Sequence, residues 1–461
     1  MKDFVAKLKC GDHFKDIVLY WVPEVITAAI LVTLPPIIDS YVVASSQSIM
    51  AYGALGMATN FLHFLIKLAE AIPVASIAIM GRYNGNQEYE KCGRYLGDTF
   101  WITTFIGFIQ FILILIWAKY IYIWLGVPPE MAVLGAPLLR LKSFGVFLVF
   151  TAMSFIGFMR AVKNTRVPML LFLTGIFTFI FFDIALVWGK FGFPQLNLMG
   201  SAIATVTQYT IINILAIGYI LFNPDYKKYF TKIFLSVFSI SRVLQILNLS
   251  WPIMIDKSTV AIAYIWLSKM LAKLGTNAIA TYDVVKNLER SAFVPVMAAA
   301  SVVTFLVSNR LGAKDPTGAS ASIKKTLFLT TITVVPSLIF VCLHSRYLVS
   351  FFDPANKFTE FAASTLPIIS LLVMFDATQV ILAGALRGAG DVRIVMWGRL
   401  FAFTLFFVPA SYLFACMPLP SETIKFILVY GSFYITTGIL SIMFLIRIKS
   451  HKWENKQISS D

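Results

Sequence analysis

A series of long apolar runs is the feature that most constrains the fold of this chain. A transmembrane helix needs about 20 predominantly apolar residues, and we read twelve runs of that kind in the sequence. They cover residues 17–43, 55–80, 99–124, 133–159, 167–188, 199–222, 244–267, 279–307, 326–348, 361–386, 394–416 and 424–446. With 58% of its 461 residues hydrophobic and 13% charged, the chain has more apolar surface than a soluble domain can bury. The sequence therefore predicts an all-α polytopic membrane protein with twelve transmembrane helices.

The loops between these spans alternate between rich and poor in lysine and arginine. The rich set contains Arg82, Lys91, Arg94, Arg160, Lys163, Arg166, Lys227, Lys228, Lys232, Arg242, Arg310, Lys314, Lys324, Lys325, Arg387 and Arg393, and both termini are rich in lysine. The poor set contains Lys119, Lys190, Lys269, Lys273, Arg346 and Lys357. By the positive-inside rule, the rich loops and both termini are cytoplasmic. The net charge of +15 therefore indicates topology. We expect a multi-pass protein of a bacterial inner membrane, without a nucleic-acid partner.

An internal repeat divides the spans into two groups of six. Sliding one half over the other brings three pairs into a single register: Gly157 with Gly384, Arg160 with Arg387, and Arg166 with Arg393. The predicted organisation is a first lobe at 1–222, a cytoplasmic linker at 223–243, a second lobe at 244–450 and a tail at 451–461. Because both halves begin on the same side of the membrane, we expect a pseudo-two-fold axis along the membrane normal. Two bundles with a cleft between them are typical of alternating-access transporters.

Several motifs, taken together in their order and spacing, resemble the multidrug and toxic compound extrusion (MATE) family. They are the Gly-x-Leu-Arg-Gly-x-Gly-Asp-x-Arg pattern at 384–393 with its echo in the first half, GRYNGN at 81–86, SNRLGAKD at 308–315, and FDIALVWGKFGFPQLNLMGSAIAT at 182–205. The resemblance covers almost the full length. It implies two six-helix lobes open in a V and secondary active export of organic cations.

Two aspartates in the first lobe are the predicted coupling site. An ionised carboxylate in hydrocarbon costs several kcal/mol, so an acid inside a span faces a cavity, pairs with a cation or takes up a proton. Asp39 and Asp183 lie in the first and fifth spans, in the outer half of the same lobe. The resemblance implies a cation site at these two positions; the Asn that the family often has one turn before the second acid is Phe179 here. The alternatives are a solvated helix end for Asp39 and a structural hydrogen bond for Asp183.

The second lobe carries further acids and bases inside its spans. In the sodium-coupled branch of the family that the chain resembles, an aspartate in the context of Asp376 and Gln379 joins a glutamate of the seventh helix to bind the ion. That glutamate is missing, and the seventh span offers Asp256 and Lys257 instead. Lys257 could pair with Asp376, so ion binding and structural ion pairing both remain open.

The second and eighth spans also carry charges at helical spacing. The second span has His63, Lys67 and Glu70, and the eighth has Asp283, Lys286, Glu289 and Arg290. One interpretation is intrahelical pairs that line a wet cleft. The other is that Lys257, Lys286 and Arg290 serve an anionic or zwitterionic substrate. We select Phe179, Gln379 and His63 as candidates for contact with substrate.

The predicted function is a secondary antiporter that exports organic cations or drugs in exchange for protons or sodium by alternating access. No GxxxxGK[ST] motif is present, so transport draws on an ion gradient rather than ATP. The four cysteines have no metal spacing, and we expect no metal and no cofactor. The expected state is a monomer, with an amphiphilic substrate and membrane lipid as its partners. The alternatives are a lipid-linked precursor flippase of the same superfamily and a membrane-embedded transferase; four scattered histidines argue against an enzyme.

Overall fold

The computed structural model consists mainly of helices joined by short loops over the residues it describes, which are 11–32, 34, 38–39, 41–43, 49–229, 239–353, 356–454 and 456. Over those residues there is no β-strand. Ten helical segments within them are long and apolar enough to cross a membrane. The protein is therefore an integral multi-pass membrane protein, as predicted.

The first half of the chain begins with a helix that covers the start of the first predicted span. The helices are α1 (Phe14–Val32), α2 (Ile49–Ala69), α3 (Ala71–Gly85), α4 (Tyr89–Trp124), α5 (Pro129–Ala161), α6 (Arg166–Trp188) and α7 (Leu198–Phe222), followed by a 3-10 helix at Pro224–Tyr229. The second predicted span is thus built from α2 and α3, which break at Glu70. The break has a local cause, because Pro73 has no N–H to donate to the carbonyl of Ala69.

The second half has the same general plan, but its helices are interrupted at other places, near His344 and at Phe403–Phe407. Its helices are α8 (Ile240–Ala272), α9 (Thr276–Gly312), α10 (Pro316–Leu343), α11 (Ser345–Phe352), α12 (Thr359–Gly388), α13 (Val392–Ala402), a π-helical turn at Phe403–Phe407, α14 (Val408–Cys416) and α15 (Glu422–Lys449). The eleventh predicted span is α13, the π-helical turn and α14 in sequence. Pro409 cannot donate to the carbonyl of Leu405, which explains why the hydrogen-bond register changes there.

The chain divides into two compact units, and their boundaries differ from those of the predicted lobes. The first unit is Ile26–Ser250, and the second combines the chain up to Val25 with Trp251–Asp461. Both divisions fall inside a helix, α1 and α8. Side-chain contacts at the two helix starts account for this assignment.

The start of α8 belongs to the first unit because its polar side chains bind α4. Arg242 pairs with Asp98, and Tyr95 donates a hydrogen bond to Gln245. Within the second unit, the indole of Trp21 on α1 donates to the carbonyl of Pro295 on α9 at 3.0 Å. Arg242, whose charge had indicated only a cytoplasmic loop, thus also ties the start of α8 to α4 within the first unit.

Backbone-to-backbone packing joins α9 and α12 in the second unit. A Cβ on Gly384 would lie 2.7 Å from the carbonyl oxygen of Ala300, and one on Gly388 would lie 2.2 Å from that of Thr304. The hydroxyl of Thr304 donates to the carbonyl of Gly384 at 2.9 Å. These two glycines are therefore contact points between helices.

We expect Gly388→Ala to lower the free energy of unfolding by about 1–3 kcal/mol, the usual cost of overpacking. Its methyl group would force α9 and α12 apart. Thermal unfolding of the purified protein in detergent measures the effect. The matched control is Gly218→Ala on α7, where a Cβ meets nothing within 4 Å; that variant keeps or slightly raises its unfolding temperature. Equal unfolding temperatures for the two variants would contradict the packing argument.

Candidate functional site

A buried ion pair holds Asp39 in the first unit. The ammonium of Lys142 donates to Asp39 Oδ2 at 2.6 Å, and the hydroxyl of Ser201 donates to Asp39 Oδ1 at 2.5 Å. The side chains of Lys142 and Asp39 are only 7% and 9% exposed. Both carboxylate oxygens of Asp39 therefore have strong partners, and its charge is neutralised within the protein. Asp39 is not a solvated helix end.

The elements around Asp39 explain how these partners reach it. Lys142 lies on α5, and Ser201 lies in the first turn of α7. The preceding residue, Gly200, allows α7 to touch the end of α6, since a Cβ there would lie 2.7 Å from the carbonyl carbon of Leu186. The Gly-Ser pair thus combines a close helix contact with a hydroxyl that faces Asp39.

Asp183 on α6 is the second acid of this site, and it lacks the polar partners that Asp39 has among the described residues. It is fully buried, and neither of its carboxylate oxygens has a hydrogen-bond partner among the described residues. It lies close enough to Asp39 and Lys142 for both of their charges to act on it. Phe179, one turn earlier, is buried and supplies no polar group. The structure thus brings the two predicted acids together, one fully paired and one unpaired.

Asp183 is buried without a partner among the described residues, and this limits the chemistry that it can perform. An ionised carboxylate without partners inside a membrane costs several kcal/mol. The buried arrangement is therefore compatible with a proton or a bound cation on Asp183. Together with the neutral pair of Asp39 and Lys142, this gives a site whose net charge depends on one carboxylate.

In the second unit, a chain of ion pairs and hydrogen bonds connects five polar residues. Asp256 pairs with Arg387, and its Oδ1 lies 2.7 Å from Nη1 of Arg399. Arg399 donates to the Oε1 of Gln379 at 2.6 Å, and the amide of Gln379 donates to Asp376 Oδ1 at 2.9 Å.

Two expectations about these charges need correction. Arg387 was expected to anchor a cytoplasmic loop, but it lies against a buried carboxylate. The cation that the structure links to Asp376 is Arg399, through Gln379, and the sequence interpretation had considered Lys257. Neighbouring residues point about 100° apart on a helix. Asp256 is fully buried, while Lys257 on the adjacent position is only partly buried.

Lys142 and Arg399 are the two charged residues of these networks that the sequence interpretation missed. Both lie inside predicted apolar spans, 133–159 and 394–416. A usable signal was present, because an ionisable residue inside a span is by default a functional candidate. The spacing arguments had favoured acids and had overlooked these bases.

The remaining candidates lie in two other places. Lys67 and Glu70 form an i,i+3 ion pair at 3.0 Å that is largely exposed, so it stabilises the helix little. His63 and Arg290 have exposed side chains. Glu289 accepts hydrogen bonds from Tyr430 and Tyr434, and Lys286 lies against tyrosine rings. Among the described residues, no group of three or more His, Cys, Asp or Glu side chains is arranged to hold a metal ion.

Comparison with known proteins identifies the relatives of this chain. The sequence model of the MatE family matches residues 25–185 and 252–413, one segment in each half of the chain. A protein from Mannheimia succiniciproducens, named a probable multidrug resistance protein NorM, is 22% identical over 375 residues, which cover 81% of this chain and 80% of that protein.

Solved structures share the fold over nearly the whole chain. A multidrug resistance MATE family transporter of the MOP superfamily, in an outward-facing conformation, has a TM-score of 0.85 at 18% identity, covering 96% of this chain and 98% of that one. A MOP superfamily transporter from Pyrococcus furiosus, whose binding pocket is described as reversed in polarity, has a TM-score of 0.85 at 17% identity and covers 98% of both chains. The predicted all-α polytopic fold is confirmed. With its family model matched in both halves, the protein belongs to the MatE family.

Proposed function

We propose that the protein is a secondary active antiporter that exports organic cations or drugs in exchange for protons, with Asp183 as the proton carrier. The observation that carries this proposal is the contrast between the two acids: Asp39 is neutralised by Lys142, whereas Asp183 is buried without a partner among the described residues. The multidrug resistance names of the relatives support export of drugs.

A proton and the cationic substrate compete for Asp183, and this competition couples their transport. A proton makes this carboxylic acid neutral, so a cationic substrate loses its counter-charge and leaves. Loss of the proton restores the negative charge and with it the affinity for the cation. A ligand shifts a two-state equilibrium only through its differential affinity for the two states, and the protonation state of Asp183 supplies that difference.

Protons fit both units better than sodium ions do. Beside Asp39, a sodium ion would meet the ammonium of Lys142. Near Asp256 and Asp376, it would compete with the guanidinium groups of Arg387 and Arg399. Like charges so close together strongly oppose each other in a membrane interior.

The wider setting of this function follows from family and composition. We infer that the protein works as a monomer in a bacterial inner membrane, with both termini cytoplasmic and without a cofactor or metal. Its energy source is the ion gradient, and its partners are amphiphilic cations and the surrounding lipid.

Charge pairing also bears on the rival function, a flippase for lipid-linked precursors. An anionic substrate needs positive charge that is not already neutralised. Lys142, Arg387 and Arg399 each lie against a carboxylate, so these three cations support an anionic substrate poorly. Organic cations remain the better-supported substrates, and a transferase is disfavoured by membership of a transporter family.

We expect Asp183→Asn to abolish the uptake of ethidium into proteoliposomes driven by an imposed proton gradient, because an amide cannot gain or lose the proton. Asp39→Asn should also abolish it, because the ammonium of Lys142 would then pair with Asp183 instead of Asp39. Flux is followed by fluorescence, and unfolding temperatures confirm that the variants fold. The control is Asp225→Asn, an exposed residue on the 3-10 helix of the same unit, which keeps wild-type flux. Wild-type flux in Asp183→Asn would disprove the proposed proton carrier.

We expect wild-type flux to be unchanged when sodium is replaced by potassium at constant pH. Lys142→Met should create a sodium response, because removing the ammonium leaves two carboxylates and the hydroxyl of Ser201 around one position. Flux with sodium gradients of either direction measures this. Lys190→Met, which removes an exposed lysine elsewhere in the same unit, serves as the control and stays insensitive. Sodium-driven flux in the wild type would contradict the assignment of protons.

A further inference from the structure

The last described residues of the chain fold back onto the second unit, and we refer to residues 451–454 and 456 as the tail strap. The chain turns after α15 at His451, whose φ of 56° lies in the left-handed region. Trp453 is only 1% exposed and belongs to the apolar core of the second unit, and its indole donates to the carbonyl of Ile448 at 2.9 Å. Tryptophan is rarely buried so completely. The tail strap is therefore a packed part of the second unit.

The tail strap binds Asp391, the residue that precedes α13. Lys456 Nζ lies 2.6 Å from Asp391 Oδ1, and Nε of Arg447 on α15 lies 2.7 Å from Asp391 Oδ2. A carboxylate in this position usually accepts hydrogen bonds from the first N–H groups of the helix. Among the described residues, Asp391 makes no such capping bond. Both of its oxygens are instead held by cations of α15 and the tail strap.

The internal repeat gives this arrangement a counterpart in the first unit. The register of the repeat also aligns three further pairs: Asn164 with Asp391, Tyr226 with Trp453, and Tyr229 with Lys456. The amide of Asn164 donates to the hydroxyl of Tyr226 at 2.9 Å, and Tyr226 is 4% exposed. Each half thus places the segment after its sixth span against the loop between its fourth and fifth spans. The bond between loop and segment is neutral in the first unit and ionic in the second.

Helix α13 is short, and irregular backbone bounds it at both ends. Gly390, with φ of 78°, forms the turn before it, and the π-helical turn at Phe403–Phe407 follows it. Hinges consist of a few residues at the ends of elements, and π-helical turns are frequent at functional sites. Because α13 carries Arg399, which binds Asp256 and Gln379, any movement of α13 changes the buried network. The tail strap holds the end of α13 next to Gly390.

We propose that the tail strap is a restraint on α13 whose strength depends on ionic strength. Salt screens exposed ion pairs more than buried ones. The side chain of Lys456 is 37% exposed and that of Arg447 is 23% exposed, so the bond from Lys456 to Asp391 weakens first as salt rises. Release of the tail strap lets α13 move and loosens Arg399 from Asp256. The mobility of the buried network thereby responds to the salt concentration around the tail strap.

Hydrogen–deuterium exchange of the full-length protein in lipid nanodiscs, read by mass spectrometry on peptides that cover α13, tests this proposal. We expect wild-type α13 to exchange slowly at about 0.01 M salt and about tenfold faster at about 1 M, where the Debye length is roughly ten times shorter. Lys456→Met should exchange about tenfold faster than the wild type already at low salt, as expected when a hydrogen bond to a charged group is lost. Its response to salt should be smaller than that of the wild type.

The matched control is Lys452→Met, which removes an exposed lysine from the same strap and should keep wild-type exchange at both salt concentrations. Peptides from the start of α6 are a reference within each sample. Their exchange should not depend on salt, because Asn164 and Tyr226 form a neutral hydrogen bond.

A double-mutant cycle shows whether Lys456 acts through Asp391. Asp391→Asn removes the charge that both cations bind and should exchange at least as fast as Lys456→Met. Adding Lys456→Met to Asp391→Asn should then change the exchange of α13 no further, since the two residues share one interaction.

The proposal is overturned if Lys456→Met leaves the exchange of α13 at the wild-type level in low salt, or if the wild type exchanges equally at both salt concentrations. Faster exchange in every helix, or a lower unfolding temperature with no preference for α13, would mean general destabilisation and would equally count against it. Exchange is measured without substrate or ion gradient, so its outcome is independent of the proposed antiport.

Discussion

The cost of placing charge in hydrocarbon governs how this protein is built. Several acids lie inside its helices, and the structure provides an internal cation for at least three of them: Lys142 for Asp39, Arg242 for Asp98, and the guanidinium groups of Arg387 and Arg399 for Asp256. Buried pairs of this kind add little net stability, but removing one partner is strongly destabilising. Each pair therefore ties one helix to another and leaves the membrane interior with almost no net charge.

Asp183, Asp376 and Glu289 have no directly paired cation among the described residues, and the proposed function rests on the first of them. Asp183 has no partner among the described residues, while Glu289 has one oxygen bound by two tyrosines and the other unpartnered. In a protein that otherwise neutralises its buried acids, such groups are the places where a mobile ion or ligand can change the balance of charge. The ammonium of Lys142, which pairs with Asp39 and also acts on Asp183, then tunes what can bind there rather than supplying structure alone.

The length of the apolar runs was sufficient to predict the helical class and the approximate spans, because helix length in a membrane is set by the bilayer. The cost of an acid inside a span, together with the family resemblance, selected Asp39 and Asp183, which the structure brings together. It missed Lys142 and Arg399, since pairing between helices depends on how they rotate and pack, and no local spacing encodes that. The unit boundaries inside α1 and α8 escaped it for the same reason.

The Arg-Gly-Ala-Gly-Asp-Val-Arg stretch at 387–393 shows how local and tertiary requirements combine. Gly390, with φ of 78°, allows the sharp turn that folds α13 back along α12. Gln379 on α12 and Arg399 on α13 lie on the two arms of this turn, and they share a hydrogen bond. The turn is secured by Asp391, which binds Arg447 and Lys456 at 2.7 and 2.6 Å. A glycine that serves a turn at the end of a span thus also sets the register of the buried network around Asp256.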